Sequence, residues 1–134
     1  MKKTTKESIV QAFGPADWVK IAFNELSAER SMVLVMITDD AGSTPRDAGT
    51  WMLVNQSRTY GTLGGGQLEK IAEEEAIKLL DPAVSQQRSI LRCLLGPDAQ
   101  QCCGGAVNLA FELLNSNAID WLRKAKKSIE GGVQ

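Results

Sequence analysis

Six consecutive apolar residues, Met32-Val33-Leu34-Val35-Met36-Ile37, constrain this chain more than any other stretch. The run is partly β-branched and has no polar position to turn toward water. It reads as a strand buried on both faces. Asp39-Asp40-Ala41-Gly42-Ser43 then ends it in a loop. The chain has 134 residues, 43% apolar and 23% charged, enough for one domain with a proper core around such a strand.

The segments on either side supply the layers. Residues 1–15 form a polar or loosely helical lead-in that breaks at Gly14-Pro15. Asp17 is placed to cap a first helix running to about Ser27, with Trp18, Ile21, Ala22 and Leu26 along one face. Trp51–Val54 and Thr59–Leu63 read as a hairpin through Asn55-Gln56-Ser57-Arg58. A helix follows from about Gln67 to Leu80, with Leu68, Ile71, Ala72, Ala76 and Leu79 as its buried stripe. Lys70 with Glu74, and Glu74 with Lys78, have i, i+4 spacing on its exposed side.

Arg88–Leu95 is a further strand, and Gly96-Pro97-Asp98 turns the chain. Ala106–Leu114 alternates, with Val107, Leu109, Phe111 and Leu113 on one face. Asn115-Ser116-Asn117 caps a last helix with the stripe Ala118, Leu122, Ala125 and Ile129. The order α, β, β-hairpin, α, β, β, α predicts an α+β domain: a mixed, largely antiparallel sheet with helices packed on it. Trp18, Trp51 and Trp121 are expected in the core or at a homodimer interface.

Composition excludes several functions. A net charge of -1 offers no field for nucleic acid, and the cluster Lys124, Lys126, Lys127 reads as a solvated helix face. No apolar run approaches the ~20 residues of a membrane span, and no apolar segment follows the basic N-terminus as in a secretory signal. The expectation is a cytoplasmic protein. Three cysteines, two of them adjacent, do not make a disulfide framework, and there is no histidine. Chemistry is left to carboxylates, thiols, hydroxyls or a bound cofactor.

Three loops carry the candidate site. Gly42-Ser43-Thr44-Pro45-Arg46 offers hydroxyls and a guanidinium just past the buried strand. Arg46 suits bidentate bonds to a phosphate or a planar ring, or a surface pairing with Asp47 or Asp39. Gly61-Thr62-Leu63-Gly64-Gly65-Gly66-Gln67-Leu68-Glu69 leads into a helix. It fails the dinucleotide fingerprint, because Glu69 stands where the third glycine belongs. It also fails the P-loop, because Gln67 and Leu68 replace the lysine and hydroxyl. What survives is a set of N–H donors suited to an oxyanion, or a tight turn that needs glycine for its backbone. Glu69 is either a functional carboxylate or a charge complementing the helix dipole. Cys102-Cys103-Gly104-Gly105 can ligate a soft metal or act in redox or sulfur transfer, or its cysteines are plain structural residues. Cys93, between Leu91 and Leu95 in a strand, reads as core.

In this order and spacing, Gly42-Ser43-Thr44-Pro45-Arg46 with Gly49-Thr50-Trp51-Met52-Leu53-Val54, then Gly61–Gly66 with Glu69, then Cys102-Cys103-Gly104-Gly105, resemble the N-terminal domain of the xanthine dehydrogenase accessory proteins of the XdhC/CoxI type. The resemblance spans roughly residues 16–115, within a domain of residues 16–134. It implies an accessory protein rather than an enzyme. Such a protein binds molybdenum cofactor as cargo, shelters it during sulfuration with a cysteine desulfurase, and delivers it to an apo xanthine dehydrogenase-type molybdenum hydroxylase. A Rossmann-like second domain, usual in the family, has no counterpart before Gln134.

On that resemblance the cofactor-binding residues are expected to be Ser43, Thr44, Arg46, Gly64, Gly65, Gly66, Gln67, Glu69, Cys103, Gly104 and Gly105. The metal end is expected near Cys103, with Cys102 beside it. Two other readings stand next to this one. One is a docking module for the molybdoenzyme that holds no cofactor. The other is an enzyme acting on a phosphorylated ligand with Glu69 as acid or base.

Overall fold

A computed structural model describes residues 7–9, 13–38, 49–64, 66–94 and 106–131. Six strands, β1 (Glu7–Ile9), β2 (Met32–Thr38), β3 (Trp51–Val54), β4 (Arg58–Gly61), β5 (Arg88–Leu94) and β6 (Ala106–Leu114), form one sheet in the order β1-β4-β3-β2-β6-β5. Among the described residues only β1 pairs parallel to its neighbour; the other pairings are antiparallel. Three helices, α1 (Asp17–Ser27), α2 (Gly66–Leu80) and α3 (Ile119–Glu130), pack on the sheet, and the domain is α+β as expected.

The two faces of the sheet bury different helices, because alternate side chains of a strand point to opposite sides. Val33, Val35 and Ile37 of β2 meet Met52 and Val54 of β3, Val107, Leu109 and Phe111 of β6, and Leu68, Ala72, Ala76 and Leu79 of α2. Met32, Trp51, Leu53 and Leu114 point the other way, to Val19, Ala22 and Leu26 of α1 and to Ala118 and Leu122. Burying each of these large side chains contributes about 1.5–3 kcal/mol. Among the described residues no helix is long and apolar enough to cross a membrane.

Several local expectations need correction. Residues 7–9 are a strand, not part of a loose lead-in. Ala16 occupies the N-cap position of α1, and Asp17 is its first residue. The Asp17 carboxylate reaches back to accept the Gly14 N–H at 2.6 Å. The buried face of α1 is Val19, Ala22, Glu25 and Leu26, while Trp18 and Ile21 are half-buried. Strand β2 is fully buried on one face only, and Leu34 and Met36 are half-buried on the other. Thr62 and Leu63 lie beyond β4. Lys78 pairs with Glu75 at i, i+3 (3.8 Å) rather than with Glu74. Ile129 is exposed. Of the tryptophans, Trp51 is buried, Trp18 is half-buried and Trp121 is exposed. The last two stack edge to face at 6.3 Å. The turn at Gly96-Pro97-Asp98 and the strand's expected end at Leu95 lie outside the described residues.

Candidate functional site

The strand registers place the described strand ends that flank the sequence motifs at one end of the sheet. Thr38 ends β2 opposite Asn108, near the start of β6. Trp51, which begins β3, pairs with Met36, and Gly61, which ends β4, pairs with Met52. Leu94 ends β5 opposite Ala106. These strand ends all lie on the same end of the sheet. Residues 39–48 depart after Thr38 and rejoin at Gly49, whose N–H donates to the Ile37 carbonyl at 2.8 Å. Residue 65 lies between Gly64 and Gly66, and residues 95–105 join Leu94 to Ala106. From β4 to β5 is four strand spacings, about 19 Å. Ser43, Thr44, Arg46, Gly65, Cys102, Cys103, Gly104 and Gly105 lie outside the described residues, but the chain on either side of them meets at this end.

A cleft of about 280 Å³ opens here, lined by Phe13, Gly14, Pro15, Gly49, Thr50, Trp51, Gly61 and Thr62. Its aromatic side is Phe13 against Trp51, with ring centroids 5.4 Å apart and planes inclined by 36°. The Trp51 indole N–H donates to the Gly14 carbonyl at 3.2 Å, which ties the segment before α1 to β3. An aromatic wall beside backbone-only glycine positions suits a flat group that approaches the main chain closely. None of these lining residues was among the expected cofactor-binding residues, although Gly49, Thr50, Trp51, Gly61 and Thr62 belong to the motifs; Phe13, Gly14 and Pro15 do not. The break at Gly14-Pro15 is the signal that could have drawn attention to these three.

The turn between β4 and α2 is held by its own side chains. Thr62 Oγ1 donates to Glu69 Oε2, the Leu63 N–H donates to the same oxygen at 2.9 Å, and the Gly64 N–H donates to Thr62 Oγ1 at 3.0 Å. Gly64 and Gly66 have φ of 107° and 68°, and a Cβ at either would meet nothing within 4 Å. They are glycines for their backbone conformation, with open space above them. Glu69 thus organises the turn. Its carboxylate already stands at the helix start, so any anion bound there has a negative neighbour. Gln67 is exposed on the first turn of α2.

The thiols divide by position. Cys93 is buried in the layer between sheet and α2, and burial pushes its thiol pKa up. A buried neutral thiol is a poor nucleophile and a poor metal ligand. Cys102 and Cys103, the expected metal-facing thiols, lie outside the described residues. Alkylation of the native protein followed by peptide mass spectrometry should leave Cys93 unmodified until denaturant is added. Among the described residues no cluster of three or more His, Cys, Asp or Glu side chains could hold a metal ion.

The model of the XdhC and CoxI family matches residues 26–92, half of the chain. The match runs from the end of α1 into β5 and includes the first two motifs; the cysteine pair lies beyond it. No curated protein matches the chain.

Proposed function

The chain belongs to the XdhC and CoxI family, and on that premise we propose that it binds molybdenum cofactor as cargo and prepares it for insertion. The family suggests a role in the maturation of xanthine dehydrogenase- and CO dehydrogenase-type enzymes, and its members are accessory proteins rather than catalysts. The finer reading is a cytoplasmic chaperone. It protects the cofactor, aids its sulfuration with a cysteine desulfurase, and passes it to an apo molybdenum hydroxylase.

The observation that supports this reading is the aromatic cleft at the end of the sheet where Thr38, Trp51, Gly61, Leu94 and Ala106 begin or end their strands, next in sequence to the three motifs. The described residues there suit a planar ring in their shape and a polar ligand in their backbone. On this reading the ring of the cargo lies against Phe13 and Trp51. Ser43, Thr44 and Arg46 take its polar edge. The turn Gly64-Gly65-Gly66 with Gln67 takes its phosphate on the N–H groups left after the Thr62 and Glu69 bonds, and against the charge of Glu69, which holds that turn in shape. Cys103, with Cys102, Gly104 and Gly105, faces the metal. The molybdenum itself supplies the chemistry later used by the hydroxylase; this chain's part is to bind, orient and exclude water.

The test separates the two ends of the cargo. In protein purified from cells that make the cofactor, Cys103→Ser is expected to lower molybdenum more than pterin. Arg46→Ala is expected to lower both together. Equal metal and pterin content in Cys103→Ser and the parent would remove the thiol from the reading.

A further inference from the structure

Strand β5 ends the sheet, and among the described residues no strand pairs with its outer side. It is seven residues long and contains no proline. The Leu113 N–H donates to the Gln87 carbonyl at 2.8 Å, which sets the phase of the antiparallel ladder. Bonds to β6 run through Gln87, Ser89, Leu91 and Cys93, so the backbone groups of Arg88, Ile90 and Arg92 turn outward. The Arg88 carbonyl accepts the Gln86 side-chain amide at 2.6 Å.

The face of the sheet opposite α2 is uncovered at this edge. Ile90 is 71% exposed there. It stands in a cross-strand row with Ala110 of β6 and Met36 of β2. Ala110 is the small member of the row. A groove of about 250 Å³ forms over it, bordered by Leu34, Met36, Ile90 and the Arg88–Glu112 pair. Arg88 and Arg92 flank Ile90 on the same face, at alternate positions of the strand.

We propose that this edge docks an extended segment of a partner protein, in which two acidic side chains flank one large apolar side chain at alternate positions. Main-chain bonds to the outward groups of β5 hold the segment, and the side chains give specificity. Acidic residues lie across from Arg88 and Arg92. The apolar residue lies across from Ile90 and extends the row toward Ala110. The pattern is the same read in either direction, so it suits a parallel or an antiparallel strand. A second copy of β5 fits worse. Self-pairing puts the arginines of both copies on one face of the joined strands, where like charges repel. The site is independent of the cargo reading, since it rests on β5 and the groove beside it on β6 and β2. It adjoins the cargo end nonetheless, because β5 leads directly into residues 95–105.

The probe is a fluorescein-labelled peptide Thr-Glu-Thr-Leu-Thr-Glu-Thr, titrated with the full chain and followed by fluorescence anisotropy. A second peptide carries Lys in place of both Glu. The acidic peptide is expected to bind at least about tenfold tighter, with affinity falling as salt rises. Arg88→Glu with Arg92→Glu should reverse the preference. Ile90→Pro removes an outward N–H and the apolar side chain, not a ladder bond, and should abolish binding while the circular dichroism spectrum stays that of the parent. Equal binding of both peptides, or none at millimolar protein, would overturn the proposal. So would a self-association in sedimentation that Ile90→Pro dissolves, since the edge would then belong to a second copy.

Discussion

Glu25→Ala is expected to lower folding stability by about 3 kcal/mol, read as a lower denaturant midpoint at unchanged slope. Glu25 is 4% exposed, on the face of α1 that meets the sheet. Its carboxylate accepts bonds from Arg30 Nε at 2.7 Å, Arg58 Nη1 at 3.1 Å and the Tyr60 hydroxyl at 2.7 Å. One side chain thus ties the end of α1 to β4, more than 30 residues away. Alanine removes three charge-assisted bonds and leaves the Tyr60 hydroxyl without this partner. The two guanidiniums are partly exposed and regain water, so the loss stays below that of three fully buried bonds. Burial alone would raise the Glu25 pKa. The bonds from Arg30 and Tyr60, with the charges of Arg30 and Arg58, outweigh it and hold the carboxyl below its ordinary value of 4.5. The stabilisation is therefore complete above about pH 5 and is lost as pH falls through the folded-state pKa. Glu25→Gln should flatten that acid limb of the stability profile.

Gly61→Ala is expected to cost a similar amount, about 3 kcal/mol, by a different route. Gly61 has φ of 80°, and a Cβ there would stand 2.8 Å from the Trp51 carbonyl oxygen and 3.1 Å from its ring. Trp51 is held by the Gly14 carbonyl and cannot simply withdraw. Its near-ultraviolet signal should change with the substitution. Gly64→Ala makes the contrast. The backbone is also left-handed there but the space is open, so about 1 kcal/mol is expected. If thermal melts showed Gly61→Ala no worse than Gly64→Ala, the packing role of Gly61 would be wrong. The two glycines look alike in the motif, and only the approach of Trp51 separates them.

What could be read from the sequence was whatever periodicity and breakers control. The stripe of α2 and the inward face of β6 follow from spacing, and both formed as expected. Strand β1 was hidden, because Glu7-Ser8-Ile9 has too little apolar pattern and is paired only through β4. Glu25 is not part of the apolar stripe read for the first helix, yet it is buried. Its burial depends on Arg58 and Tyr60, which no local pattern links to it. Ile129 keeps the helical stripe but lies beside Asp17 and Lys20 at the start of α1, where the sheet does not cover it. At the candidate site the motifs were visible as three separate loops. That the described strand ends flanking them share one end of the sheet was not, because it follows from strand order and register. The cleft joins Phe13 and Gly14 to Trp51, across 37 residues of sequence in the second case.

The central claim is that this end of the sheet holds molybdenum cofactor. The direct measurement is the pterin and molybdenum content of the chain purified from cofactor-making cells, pterin by fluorescence after oxidation and metal by elemental analysis. The account predicts the two in equal amounts, approaching one per chain. Absence of pterin, even after cofactor is added to the purified protein, would contradict it.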